Sequence, residues 1–361
     1  MDWGFAVVDN IDTAKRKALI LKVLKSIVFA SLLGLLFLYN VNRPRIMIVH
    51  SYDPTMDIVK DFDNGVKKAL ENEIEPLIQS YYLNMLNKNT IKQKIDAGIE
   101  ARVSVDRFNP KILIAIGDEA QEFVAKFYLD KKKTKVIFAG VKGDFKKFGY
   151  IPGQNVGGII EIPQIQELNT LINSMLPEKK DIRLAHLGDQ STIVNLTERT
   201  LIQHSWQNIR FQDSVRVIDA DNFKKAAILL SKRCDVLLIS SYKGLKVNPN
   251  SEDEVISDEV MKWIIENTSV PIISTLGYAV EEGAGAAIVS SAYEQGMLAM
   301  NAGLTMLNIK SRLTSVTSKV FAVYLNDTHI KERNLHIPPI YQSFAVGTQK
   351  LYGHHKLEAS L

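Results

Sequence analysis

The 361-residue chain has one cysteine, so no internal disulfide can brace it and its fold rests on burial of apolar surface alone. That cysteine, Cys234, leads into an apolar stretch at 236–239 and reads as a packing residue. At this length a core of adequate size is feasible. Histidine is scarce too, and none of the seven pair at the helical spacing of a metal site. His354 and His355 sit in a polar tail and are expected to be disordered. There is no nucleophile elbow and no phosphate loop ending in Lys and Ser or Thr. Gly283 and Gly285 lack the strand and helix context of a dinucleotide site. These absences argue against an enzyme, and no cofactor is expected. Charge of one sign is also missing: 44 basic against 40 acidic residues give +4, and no basic face interleaved with aromatics marks a nucleic-acid partner.

Long hydrophobic runs are absent except one, at 26–41, preceded by Lys15, Arg16, Lys17, Lys22 and Lys25. A bilayer-spanning helix needs about 20 apolar residues. The anchor is therefore read as 18–41, with Lys22 and Lys25 snorkelling to the interface. A cleaved signal peptide would share the charged start and apolar middle. Residues 36–42, however, are bulky where a small-x-small cleavage site belongs, and no cysteine follows for lipid attachment. Basic residues cluster before the run and only Arg43 and Arg45 follow closely, so the positive-inside bias puts residues 1–17 in the cytoplasm as a short tail with a frayed end. The rest of the chain then faces outward.

Short apolar runs alternate with amphipathic stretches through the roughly 310 residues that remain. Strand 46–50 ends in a turn of Ser51, Tyr52, Asp53 and Pro54, after which Met56, Val59, Phe62, Val66, Ala69 and Leu70 recur at helical spacing. Strand 77–82 and helix 88–105 follow. Strand 111–116 closes at Gly117, with Asp118 as the N-cap of a helix over 119–128, and strand 136–139 runs into Gly140. Gly157 and Gly158 permit backbone angles that other residues resist and are read as a hinge crossing. A second alternation comes next: helix 164–175, strand 182–187, helix 191–206, strand 215–218, helix 222–232, strand 236–239, helix 254–267 and strand 271–275.

This order predicts an α/β protein of two Rossmann-like lobes with parallel sheets and a hinge, preceded by one transmembrane helix. Ligands in such sheets sit at the carboxyl ends of strands. The candidate contacts are therefore Ser51, Tyr52, Asp53, Gly117, Asp118, Glu119, Gly140, Asp189, Ser240, Ser241, Tyr242 and Tyr278. Asp53, Asp144 and Asp189 would make the mouth acidic and favour a cationic or neutral polyhydroxyl ligand. Rings at Tyr52, Tyr242 and Tyr278 would stack on a sugar or clasp a cation. The plainer alternative is that Asp118 is only a cap, Asp53 only a turn residue, and the cleft is empty.

Several runs, HSYDPTMDIVKDFDNGVKKAL, IAIGDEAQEF, VIFAGVKGD, NVGGIIEIPQIQELNTLINSMLP, DVLLISSYKG, VPIISTLGYAVEEGAGAAIVSSAYEQG and VYLNDTHIKERNLHIPP, fall in an order that resembles the ABC-transporter substrate-binding family, whose members also serve as extracytoplasmic sensor domains. The resemblance covers roughly residues 45–344. It implies a fold like the type I periplasmic binding proteins, with three crossings and a small molecule such as an amino acid or sugar between the lobes. On that analogy, lobe 1 is 45–156 plus about 290–312, lobe 2 is 157–289 plus about 318–345, and 346–361 is a polar tail. Where many relatives place small hydroxyl residues to receive a ligand carboxylate, this chain has Asp118 and Glu119, which satisfy the helix dipole themselves and repel an anion. Two functions stay open. One is a solute-binding-like protein of the bacterial inner membrane, periplasm-facing, that signals to an inner-membrane partner such as a transporter or signalling protein. The other is a non-catalytic scaffold or regulatory subunit of an envelope complex with an unused cleft.

Overall fold

The computed structural model describes residues 3–71, 76–88, 90–129, 131, 133–142, 145–151, 155–251, 255, 257–308 and 315–353. The chain divides into an N-terminal unit, 1–45, and a body, 46–361. The first unit is helix α1 (Trp3–Asn42), about 60 Å long at 1.5 Å per residue. Its stretch Leu19–Asn40 has a mean hydropathy of 2.2 with none of it buried, and is long and apolar enough to cross a membrane. The terminal tail, expected to be frayed, is helical from Trp3. His354 and His355 lie outside the described residues.

In the body, β1 (Arg45–His50), α2 (Asp57–Leu70), β2 (Leu77–Tyr82), α3 (Ile91–Phe108), β3 (Ile112–Ile116), α4 (Asp118–Phe123), β4 (Lys135–Lys142) and β5 (Val156–Glu161) build the first lobe. The second follows with α5 (Ile165–Met175), β6 (Ile182–Asp189), α6 (Thr192–Gln203), β7 (Ile209–Val217), α7 (Ala220–Ser231), β8 (Val236–Ser241), α8 (Ser257–Asn267), β9 (Ile272–Ser274), α9 (Gly277–Glu281) and β10 (Ala286–Ser290). Then α10 (Ala292–Asn308) and β11 (Val316–Thr317) return to the first lobe, and β12 (Phe321–Asn326), α11 (Asp327–Glu332), α12 (Pro339–Gly347) and β13 (Leu351–Tyr352) complete the second. The sheet orders are β11-β5-β4-β3-β1-β2 and β13-β12-β10-β9-β8-β6-β7. β3 is parallel to β1 and β4, β5 to β4 and β11, β6 to β7 and β8, β9 to β8 and β10, and β12 to β13, while β12 runs antiparallel to β10.

Both faces of each sheet are covered, which is why the central strands read as unbroken apolar runs. In β1 and β3 the side chains alternate strictly. Met47, Val49, Leu113 and Ala115 pack under α3 and α4, while Ile46, Ile48, Ile112 and Ile114 pack under α2 and α10. Helices α2 and α10 approach so closely that a Cβ on Gly65 would sit 2.0 Å from the Tyr293 carbonyl oxygen, and one on Gly296 2.1 Å from that of Phe62.

Three segments cross between the lobes, and they are bonded to one another. Ser290 Oγ donates to the Ile162 carbonyl at 2.9 Å, and the Ser291 N–H to that of Val320 at 2.9 Å. Glu294 Oε2 accepts from Ser318 Oγ and from the backbone N–H groups of Lys319 and Val320 at 2.6, 2.9 and 2.8 Å. The expected hinge at Gly157 and Gly158 is corrected by this arrangement. Both lie inside β5, paired with Ile137 and Phe138, and the first crossing comes later, at 162–164. Glycine serves tight backbone approach as well as unusual angles, and here it is approach: a Cβ on Gly158 would lie 2.0 Å from the Phe138 carbonyl oxygen. The helix expected over 119–128 is also shorter. It stops at Phe123 and resumes as a 3-10 turn, Ala125–Tyr128.

Gly158→Ala should therefore destabilise the body by about 2 kcal/mol or more through overpacking, seen as a lower urea midpoint. A hinge glycine would instead leave the midpoint nearly unchanged.

Candidate functional site

The first-lobe wall is built where β1 and β3 end. Ser51 is buried; its Oγ donates to the Ile116 carbonyl at 2.8 Å and accepts from the Ala120 N–H at 2.9 Å. This bond locks the turn at Gly117, whose φ of +84° suits glycine, and a Cβ there would strike Ser51 Oγ at 2.6 Å. Gly117, not Asp118, is the N-cap of α4, so Asp118 and Glu119 occupy the first turn. Asp118 Oδ2 pairs with Lys147 Nζ at 2.6 Å, while its Oδ1 is buried with no hydrogen-bond partner among the described residues. Burial, helped by the Asp118 charge, pushes the Glu119 carboxyl above its usual range. Gly140 donates its N–H to Gln295 Oε1 at 2.8 Å, tying β4 to the hinge helix α10.

The second-lobe wall consumes most of its own polar groups. Asp189 Oδ1 accepts from the Ser191 N–H at 2.9 Å, and its Oδ2 from Ser241 Oγ and the Gly244 N–H at 2.7 and 3.0 Å. It ties its own turn to the end of β8 and the loop that follows instead of lending charge to the mouth. Ser240 is fully buried and meets His186 Nε2 at 2.7 Å; the other ring nitrogen, Nδ1, meets Ser214 Oγ at 2.8 Å. Ser214 donates to Glu198, so the network assigns the proton to His186 Nδ1 and has Ser240 donate to Nε2. The Tyr242 ring belongs to the lobe core between Phe223 and Tyr278, and its hydroxyl donates to Glu282. Ser240 and Tyr242, expected at the groove, are thus structural.

Tyr52 and Tyr278 stand just past the carboxyl ends of β1 and β9, one in each lobe. Burial pushes Tyr52 well above the usual phenol range, and the groups adding to that shift are Glu119, Asp118, Glu161 and, from the other lobe, Tyr278. Burial likewise raises Tyr278, whose hydroxyl bonds with Ser241. Lys243 Nζ sits 4.5 Å from the Tyr278 ring centroid and pairs with Glu282 at 2.7 Å. The carboxylates whose charge acts on Tyr52 are Glu119, Asp118 and Glu161, and neither Asp53 nor Asp189, expected to make the mouth acidic, is among them. Asp53 is a turn residue accepting from the Thr55 N–H and Oγ1, Asp189 is internally satisfied, and Asp144 lies outside the described residues. Glu161 escaped the sequence reading because β5 itself was missed; as the last residue of a parallel strand it stands where ligands bind. Among the described residues no group of three or more His, Cys, Asp or Glu could hold a metal. A separate cavity of about 300 Å³, lined by Asp106, Asn109, Tyr128 and Lys131, lies at the opposite, amino ends of β3 and β4.

Burial lowers the His186 pKa to about 4, against about 6.5 for an exposed imidazole. The unfolded chain then takes up this proton first as the pH falls. Stability from the group is complete above about pH 6.5 and declines toward pH 4, by up to about 3 kcal/mol. Urea midpoints measured from pH 7 to pH 4.5 should fall, and less steeply in His186→Gln.

No family model matches the sequence, and no curated protein matches it. Solved structures do. A conserved domain protein from Vibrio cholerae is 14% identical with a TM-score of 0.57, over 84% of this chain and 98% of that one. An ABC domain from Streptococcus pneumonia, solved in complex with L-Trp, is 14% identical with a TM-score of 0.56 over the same shares. A substrate binding protein with adhesive properties from Clostridium difficile, in a ligand-free, open structure, is 16% identical with a TM-score of 0.57, over 82% of this chain and 96% of that one. With two α/β lobes, mostly parallel sheets and three bonded crossings, the body of this chain has the type I periplasmic-binding-protein fold.

Proposed function

We propose that the body closes on a small polar ligand, neutral or cationic, held between Tyr52 of the first lobe and Tyr278 of the second. The observation that carries this reading is that Tyr52 follows β1 and Tyr278 begins the α9 turn after β9, one aromatic at the carboxyl end of each lobe's sheet, with Glu119, Glu161 and Tyr278 near enough for their charges to act on Tyr52. A ligand touching both lobes makes contacts that only the closed form offers, and that difference in affinity drives closure. The aromatic faces suit a sugar ring, a planar group or an ammonium. The unpartnered Asp118 Oδ1 calls for an N–H or O–H donor. An anion is disfavoured, because Asp118 and Glu119 already fill the first turn of α4.

In this reading residues 18–41 anchor the protein once in a bacterial inner membrane, with the N-terminus cytoplasmic and the body periplasmic, and the closed form is recognised by an inner-membrane protein. The protein is a receptor and not an enzyme. The second reading, a scaffold with an unused cleft, draws on a specific observation: Ser51, Asp189, Ser240 and Tyr242 are all satisfied within the protein.

A thermal-shift screen of the full chain with amino acids, sugars, polyamines and nucleosides separates the two. A true ligand at 100 times its Kd should add about 2.7 kcal/mol, and Tyr52→Ala and Tyr278→Ala should each abolish the shift. No shift from any compound, together with a membrane protein retained through purification in mild detergent, would favour the scaffold.

A further inference from the structure

We infer that the C-terminal strand β13 is a latch that holds the two lobes closed from beside the ligand groove. β13 pairs with β12 through Leu325 with Leu351 and Asn326 with Tyr352, so Lys350 and Tyr352 belong to the second lobe. Their functional groups end on α2 of the first lobe. Tyr352 Oη donates to Asp57 Oδ2 at 2.9 Å, and Lys350 Nζ lies 3.0 Å from Asp61 Oδ2 and 3.5 Å from Asp57 Oδ2. None of these residues is in a crossing segment, so the contact is one the hinge does not impose.

The setting decides that these bonds matter. An exposed ion pair contributes little, whereas breaking a buried one leaves a charge without a partner. Lys350 is only 3% exposed, and its Nζ lies over the Tyr324 ring at 5.4 Å. Tyr324 stacks on Tyr352 with ring centroids 6.2 Å apart and planes inclined by 11°. The groups gathered there are Asp57 and Asp61 from α2, with Lys60 pairing to Asp57 at 3.1 Å, and Glu281 from α9, whose Oε1 is 3.4 Å from Tyr352 Oη. Burial and the Asp57 charge raise the Glu281 carboxyl, as expected where water is excluded. Separating the lobes would part the Lys350 ammonium from both aspartates, whose side chains are each 28% exposed, and exchange these bonds for bonds to water.

The latch is also joined to the groove. A Cβ on Gly277 would lie 2.6 Å from Tyr324 Cε1, so the latch ring packs on the residue next to Tyr278. Both the latch acceptor Glu281 and the ligand ring Tyr278 ride on α9. A ligand drawing the lobes together at Tyr278 therefore brings β13 into register with α2, and the latch sets how far the balance already lies toward the closed form.

This inference rests on the hinged two-lobe reading and not on any ligand, so it is tested without one. Spin labels are placed at Lys67→Cys on α2 and Lys225→Cys on α7, both exposed, in the full chain in detergent. Cys234 is buried and its thiol pushed up to about 11, so it stays unlabelled. The parent should give one narrow inter-lobe distance. Tyr352→Phe, Asp61→Asn and Lys350→Ala should each add a second population, lowering the closed-to-open ratio about tenfold for a bond of this kind. Lys126→Ala, which removes an ion pair to Glu122 inside the first lobe and away from the latch, should leave the distribution as it was. Should Lys350→Ala fail to fold, Tyr352→Phe and Asp61→Asn decide, since each removes one bond without opening a cavity. Folded variants indistinguishable from the parent, or a parent already broadly distributed, would overturn the latch whatever the ligand screen returns.

Discussion

One carboxylate governs the geometry of this molecule. Glu294, in the first turn of α10, accepts three hydrogen bonds from residues 318–320, while just before it Ser290 bonds the first crossing at Ile162 and Ser291 bonds Val320. Three strands of chain passing between lobes would otherwise expose backbone N–H and carbonyl groups where no sheet can satisfy them. Collecting those groups on one short segment leaves a narrow, well-defined axis. The lobes on either side keep independent cores and can change their relation with little disturbance inside either.

α10 makes that axis consequential. Its first turn holds the crossings, its Gln295 receives the end of β4, and its remaining length packs on α2 at glycine-to-backbone contact. The same α2 presents Asp57 and Asp61 to β13. Hinge, groove wall and latch are thereby mounted on one rigid pair of helices. The strand ends on either side are tied as firmly, because Ser51, Asp189 and His186 knit them together with bonds inside the protein.

How much of this was legible beforehand differs by residue. Strands such as β1, β3 and β8 were readable because burial on both faces leaves a run of apolar residues that no polar position interrupts. β5 was not, because Val156, Gly157 and Gly158 offer a turn signal where the tertiary structure wanted two flat residues against Phe138. β10, rich in alanine, and β12, paired antiparallel to it, gave no strong pattern of their own. Among the candidate contacts, the places of Tyr52, Tyr278, Asp118 and Glu119 just past strand ends were legible in advance, while that of Glu161 was lost with its strand. Tyr242, Ser240 and Asp189 were placed in the same way yet turned inward, since position on a loop does not say which way a side chain points.

Composition, alternation and the single long apolar run by themselves determined the class of the molecule: an apolar N-terminal helix followed by a doubly wound α/β body without disulfides. These are properties of local pattern, and local pattern is set by which faces must be buried. Where the crossings lie, which polar groups satisfy one another, and that Lys350 finds Asp61 nearly 300 residues away were decided only by the tertiary structure. The physical reason is that hydrogen bonds and ion pairs between distant segments depend on distance and direction in space, and separation along the chain carries no information about either.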